Sequence, residues 1–561
     1  MSVCRQAGTS GCLSPARTDA GRVPDAVFWS PVNSMSSILP APSDDLSSSE
    51  TDVFAIHGAD PEVLAYAMAK YSRSSLSMRQ SLKEISSQRA EQFLNTFYFQ
   101  YGHRSIADLA HVAFAIERLS LLAAIVLVDE QRWDGQERST RYQNFLKSGW
   151  YLPDFGGNTA AKQTYVRTVE GLFTAYSSTS AAVLDALKAR VACPSEMKPD
   201  AYERTLKARA FDVARYLLPL ATNTSLGQIV NARTLETQVS RLLSHPVREI
   251  RDLGMKLKEA ASGPAWNLNA EANAALQAEI ATLSPNLAVQ SERLLTRPVH
   301  VSPTLVKYAN PNPYEMQSKE ELTQAATELL GNIPIAAAPM VDLVERTETL
   351  EVELAATLLY SASHHGYRQI RDLVAGLPEA RVAEIVELGM RHRGRHDELL
   401  RAFHAGAALR FDILMDIGGF RDMHRHRRCT QIIQEFTSLH GYETPESGDA
   451  AGLVEAGILA DYQASVEAAL AASREIAASG APEAAQSACY LLPLATRIRS
   501  LFKMDFAEAL YISELRSGPA GHFSYRKVAW EMYQAVQRQH PFLARYFRVT
   551  DFTEPIDILK R

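Results

Sequence analysis

The segment YLLPLAT occurs twice, at 216–222 and at 490–496, an offset of 490 − 216 = 274 residues in a chain of 561. A recurrence at half the chain length means that one structural unit is used twice, and every other element has to be read in pairs. Upstream, EVLAYAMAKYSRSS at 62–75 matches EVELAATLLYSASH at 351–364; both read as helices with an Ala/Leu face that end in a Tyr-Ser turn. The chain exceeds the usual domain size of about 100–200 residues, so two large domains with the same order of elements are the simplest arrangement. Between them SPNLAVQSERLLTRPVHVSPTLVKYANPNPYEM is rich in Pro and Asn and ends the helical patterning. The expected organisation is a tail over 1–50, a first repeat over 51–300, a linker over 301–340 and a second repeat over 341–561.

Within each repeat, long Ala/Leu/Glu-rich helices surround a strand-like middle region, with a helix near the end in NARTLETQVSRLL and in MDFAEALYISELR. A Pro inside the apolar YLLPLAT run suits a buried strand or a break better than a helix interior. The apolar run LSLLAAIVLV at 119–128 is about half of what a membrane helix needs and is closed by Asp129 and Glu130, so it reads as a buried helix or strand. The expected class is α/β in the α+β sense, helix-rich.

A net charge of −6 provides no general basic field, which argues against nucleic acid as a partner and requires any anion site to be local. Cys4, Cys12, Cys193, Cys429 and Cys489 are scattered without a CxxC pair, which fits a reducing, cytoplasmic setting. Residues 1–50, rich in Ser, Pro, Gly and Asp, are expected to be disordered and lack the continuous apolar core of a signal peptide; Met35 is an alternative start.

Arginines and hydroxyls stand where oxyanions could be held, because the planar guanidinium bonds phosphate oxygens in bidentate fashion. The first repeat carries GHRS with His103 and Ser105, QERSTRY with Glu137, Ser139, Arg141 and Tyr142, then Arg215 before YLLPLAT and the pair Asn231 and Arg233. The second carries RDMHRHRR with Arg425, His426 and Arg427, and later Arg516 in ELR. Together these resemble the flavin-dependent thymidylate synthases, the thymidylate synthase complementing family, whose mark is RHRxxSxNExSxRY preceded by a GHxS segment. Neither repeat holds the whole mark. In the first, Asp129, Glu130 and Gln131 occupy the RHR positions, Gln136 replaces Asn, and Asp108 follows HxS in place of Glu; in the second, Thr430 replaces Ser and Ile432, Ile433 and Glu435 abandon NExSxRY. The second repeat also has Cys489 where the first has Arg215, and the first has Leu242 where the second has Arg516, at the same spacing of 516 − 505 = 242 − 231 = 11.

The resemblance implies a tandem-duplicated member with a site composed from both repeats. It implies catalytic roles for Arg516 and Arg425, and a dUMP site made by Glu137, Ser139, Arg141, Arg215, Arg425 and Arg516. It implies flavin contacts from His103, Ser105, His426, Arg427, Asn231 and Arg233. FAD, NADPH and methylenetetrahydrofolate would be the cofactors, and a homodimer would give a four-repeat assembly. The cofactor carries the hard chemistry; orientation and polarisation fall to the protein.

Plainer readings stand beside these. RDMHRHRR taken alone is also a solvated basic turn, and MRHRGRH at 390–396 reads as a solvated helix end. His364 with His365, and His424 with His426, have no carboxylate or Cys at ligand spacing, so no metal site is expected. Because the mark is broken in both halves, a non-catalytic flavin or nucleotide binder is the alternative to an enzyme.

Overall fold

In the computed structural model the described residues are 56, 58–70, 78, 82, 104–394, 397–445 and 452–559. The tail over 1–50 and His103 lie outside them. The first repeat contains α1 (Pro61–Lys70), β1 (His111–Ser120), α2 (Leu121–Leu127), β2 (Asp134–Glu137), α3 (Thr159–Arg190), α4 (Pro199–Ala214), β3 (Asn223–Asn231), α5 (Ala232–Leu243) and α6 (Arg248–Ser262). A connection follows with α7 (Ala270–Leu283), α8 (Pro285–Leu295) and α9 (Pro313–Leu330). The second repeat contains β4 (Val341–Leu343), α10 (Leu350–Tyr360), α11 (Tyr367–Ala375), α12 (Glu379–Leu388), β5 (Leu409–Asp416), α13 (Ile417–Met423), β6 (Thr430–Ile433), α14 (Leu459–Ala477), α15 (Ala484–Cys489), β7 (Arg497–Met504), α16 (Phe506–Ser517) and α17 (Phe523–Gln539).

The two sheets repeat one plan. In the first, β3 is central between β1 and β2; in the second, β7 lies between β5 and β6, and β4 adds an edge strand beyond β5. All pairings are antiparallel. The strand-to-helix junctions also correspond. Ser120 caps α2 by accepting from Ala123 N, and Asp416 caps α13 by accepting from Gly419 N. Ser120 donates to Glu249 of α6 at 2.7 Å, whereas Ser524 of α17 donates to Asp416, so hydroxyl and carboxylate have exchanged places between the repeats.

The YLLPLAT segments explain how the repeats meet. Each leaves the helix ahead of it and runs extended, as the internal Pro dictates, and the two lie antiparallel with Pro219 facing Pro493. Leu220 N donates to Leu492 O at 2.9 Å and Leu494 N to Leu218 O at 3.0 Å; Ala221 N donates to Tyr490 O and Ala495 N to Tyr216 O. Exchanging the repeats maps each bond onto its mate, which defines a pseudo-twofold axis between the prolines. These residues lack a donor, so the axis leaves no amide unpaired. Leu217, Leu218, Leu491 and Leu492 are essentially inaccessible and belong to one apolar core supplied by both repeats. Each buried leucine contributes about 1.5–3 kcal/mol. The repeats therefore share their main core, since either segment alone would expose an apolar edge, while a smaller cluster forms around α10 and α11 of the second repeat.

The apolar run at 119–128 forms α2, whose Leu121 to Ile125 are all buried. The 301–340 stretch is more than a linker: α9 occupies Pro313–Leu330, starts on the Asn312 cap with a Pro at its first turn, and packs on α10 and α12. The Pro and Asn that suggested a break are its start signal. Helices α7 and α8 pair with each other and bury none of their residues. Among the described residues no helix is long and apolar enough to cross a membrane.

Candidate functional site

Four arginines named from the sequence come together around one carboxylate. Helix α13 is only seven residues long and ends at Met423, so the chain turns at His424 and exposes Arg425 at the rim. Asp422, in the last turn of α13, accepts from Arg215 at 3.4 Å, and the charges of Arg425, Arg141 and Arg516 also act on it. Burial alone would raise its pKa, but the four guanidinium groups outweigh this and hold it below the usual carboxylate range. Two of these arginines come from the first repeat and two from the second.

Arg141 is the most constrained of them. Its Nε and one Nη fork onto Asp212 of α4 at 2.8 and 3.2 Å, and its other Nη donates to the Tyr525 hydroxyl at 2.8 Å. Burial works against its charge, yet Asp212 overrides this and raises its pKa further. Arg516 sits in the last turn of α16, where the helix dipole favours a cation, and its guanidinium lies 5.4 Å over the Tyr525 ring. Its Nε donates to Nε2 of His426 at 2.8 Å, which fixes His426 with its proton on Nδ1, 3.6 Å from Glu508 Oε1. Burial first, then Arg516 and Arg427, lower the His426 pKa to about 3, so the imidazole is neutral.

Arg215 is only 2% exposed and donates from one Nη to Asp422 at 3.4 Å, while its Nε and second Nη are buried without a hydrogen-bond partner. A buried guanidinium with two idle donors is costly unless an anion arrives to accept from them. Glu137, at the end of β2, accepts from Arg421 of α13, and the Ser139 hydroxyl accepts from the Arg141 amide at 3.2 Å. Both therefore stay near the cluster through structural bonds.

The residues assigned to flavin separate. Arg427 turns away from the cluster, lying 4.6 Å over the Trp133 ring and donating to Glu130 O at 3.1 Å. Asn231 caps α5 by accepting from Thr234 N, and Asp505 caps α16 in the same way. Arg233 pairs with Asp108 and Glu398 at the rim of a different cavity. Ser105 lies on a 3-10 turn over Arg104–Leu109. The motifs do not single out Asp422, Asp212, Tyr525 or Arg421; Arg421 and Asp422 stand inside the RDMHRHRR string, whereas Asp212 and Tyr525 carry no motif.

A cavity of about 1000 Å³ lies on the other side of the axis, bordered by Asp129, Glu130, Gln131, Arg241 and Cys489. Among the described residues no group of three or more His, Cys, Asp or Glu could hold a metal ion.

A "UPF0159 protein" of Chlamydia muridarum is 28% identical over 540 residues, covering 90% of this chain and 93% of its own. A "UPF0159 protein" of Thermoplasma acidophilum is 24% identical over 86% of this chain and 94% of its own. A "Flavin-dependent thymidylate synthase" of Clostridium tetani is 24% identical over 37% of this chain and 81% of its own. Among solved structures, flavin dependent thymidylate synthase ThyX from Helicobacter pylori, complexed with FAD and dUMP, is matched at 17% identity and a TM-score of 0.25 over 36% of this chain and 89% of that one. The model of the thymidylate synthase complementing protein family matches residues 55–263 and again 342–542, in step with the two sheets and the paired YLLPLAT segments, and the chain belongs to that family, with the family unit present twice.

Proposed function

We propose that the arginine cluster is the site of an FAD-dependent thymidylate synthase that methylates dUMP to dTMP, with methylenetetrahydrofolate as carbon donor and NADPH as reductant. The observation that carries this reading is the idle pair of donors on buried Arg215, set among Arg141, Arg425 and Arg516 from both repeats. That donor set fits a nucleotide phosphate, and it fits the resemblance that gives these arginines to dUMP. Flavin, when bound, supplies the hydride; this chain's own residues bind, orient and polarise. Arg215 would take phosphate oxygens on its Nε and Nη. Arg516, held by neutral His426, would polarise a uracil carbonyl, and exposed Arg425 would close over the nucleotide. His426 and Arg427, with His103, Ser105, Asn231 and Arg233, are the flavin contacts that the resemblance implies. A cytoplasmic homodimer would bring four repeats together.

A non-catalytic nucleotide or flavin binder is the second reading. It is favoured by the bonds that Arg141 spends on Asp212 and Tyr525 and by the use of Asn231 as a helix cap.

Anaerobic incubation of the purified chain with dUMP, FAD, NADPH and methylenetetrahydrofolate tests the enzyme. dTMP that disappears in Arg425→Ala supports it. No dTMP while flavin or dUMP still binds transfers the conclusion to the second reading, and absence of any binding removes both.

A further inference from the structure

The cavity of about 1000 Å³ is the pseudo-twofold counterpart of the arginine cluster, and backbone bonds define the correspondence. Leu121 N donates to Thr222 O and Ile417 N to Thr496 O, which starts α2 and α13 at equivalent places, a spacing of 417 − 121 = 296. Asp129, Glu130 and Gln131 then correspond to Arg425, His426 and Arg427. Glu137 pairs with Leu226 and Ile433 with Ser500 in the two sheets, so Glu435 corresponds to Ser139. The paired YLLPLAT segments make Cys489 the counterpart of Arg215. Space has been kept on this side of the axis while its charge has been inverted.

The cations that remain are already engaged. Arg241, one residue ahead of the position of Arg516, forks onto Glu130 at 2.7 and 3.0 Å and gives another N–H to Val126 O. Arg401 is bound to the Asp129 carboxylate and carbonyl. Lys319 pairs with Glu435 at 2.9 Å, and Arg233 with Glu398 at 3.1 Å. Seven carboxylates line the space against five Lys and Arg side chains. Glu315, at the start of α9, lines the same space as Glu130 and Asp397; burial raises its pKa against the pull of Arg241 and Arg401, and the two acids add to the rise. A cation arriving there would relieve that repulsion. Apolar lining comes from Leu122, Ile125 and Val126 of α2 together with Ile432. A volume of this order is typical of small-molecule sites, which combine an apolar lining with a few placed charges.

We propose that this counterpart cavity binds an organic ammonium cation with an apolar body, and that it does not take phosphorylated ligands. The apolar body would lie along α2 and the ammonium against Glu315. The proposal is independent of what the arginine cluster binds.

Isothermal titration of the full chain with phenethylammonium chloride, with the neutral 2-phenylethanol and with inorganic phosphate is the test. Saturable uptake of one amine per chain is expected, at least tenfold tighter than the alcohol. Glu315→Gln should weaken the amine about tenfold, and Arg425→Ala should leave it unchanged. Absence of amine uptake, equal binding of the alcohol, or loss of the amine in Arg425→Ala but not in Glu315→Gln would overturn the proposal. Phosphate bound by a chain carrying Arg215→Met and Arg425→Ala would overturn its second half. None of these outcomes depends on thymidylate formation, so the two readings fail separately.

Discussion

Arg516 donates through Nε to Nε2 of His426 at 2.8 Å, an arginine serving as donor to a neutral imidazole that it helps to keep neutral. The contact ties the end of α16 to the loop after α13, two elements of the second repeat that carry arginines of the cluster.

That contact makes the fold sensitive to acid. The pKa of His426 falls from 6.5 when unfolded to about 3 when folded. Its contribution to stability is therefore present above about pH 6.5 and is lost as pH falls toward 3, at about 1.4 kcal/mol per pH unit. His426→Gln retains an acceptor for Arg516 and does not titrate. Thermal unfolding should show wild type and variant close together at pH 7 and the variant more stable at pH 4.5; a gap that stays constant with pH would show that the imidazole protonates freely in the folded chain.

Arg141 and Arg215 should differ in their effect on stability when replaced by Met. Removing Arg141 breaks its forked pair with Asp212, which is 2% exposed, and breaking such a buried pair costs about 3–5 kcal/mol. Removing Arg215 gives up one long 3.4 Å bond to Asp422, on which Arg425, Arg141 and Arg516 still act, and discards two donors that have no partner, so the change should stay within about 1 kcal/mol. Urea unfolding with and without inorganic phosphate measures both effects. Phosphate should stabilise wild type and lose that effect in Arg215→Met; a variant still stabilised by phosphate would place the anion elsewhere.

Asp416 carries the opposite linkage. Burial raises its pKa from 3.8 to about 6, despite the hydrogen bonds from Ser524 and Gly419. The folded state therefore holds the proton more tightly, and stability is full below about pH 3.8 and declines as pH rises through 6. The loss approaches about 3 kcal/mol. Asn also caps helices well. Asp416→Asn should raise the melting temperature at pH 8 and leave it nearly unchanged at pH 4, and an equal shift at both would mean that the carboxyl is already ionised in the folded state at pH 4.

Much of this architecture is legible in the chain. The YLLPLAT recurrence announces two repeats, and the Pro inside it announces a break in helix. Asn231 and Asp505 mark the starts of α5 and α16 because a short polar side chain is what the first turn of a helix requires. That local demand also hid something: Asn231 is at the same time a helix cap, and Arg233 is at the same time paired with Asp108 and Glu398. The helix in 301–340 was hidden in the same way, since Pro and Asn mark helix starts as readily as loops.

By itself the sequence determined which units recur, which residue types could meet an anion, and where the acidic Asp129 and Glu130 replaced basic ones. Only the tertiary structure decided that Arg141 meets Tyr525 across 384 positions, that Asp422 lies among four arginines from both repeats, and that the opposite cavity stays open with its charge reversed. The reason is one of range. Periodicity, caps and proline act within a few residues, so they can be read along the chain. Convergence across the Pro219 and Pro493 axis depends on how two apolar segments bury each other, and no short stretch of sequence encodes that contact.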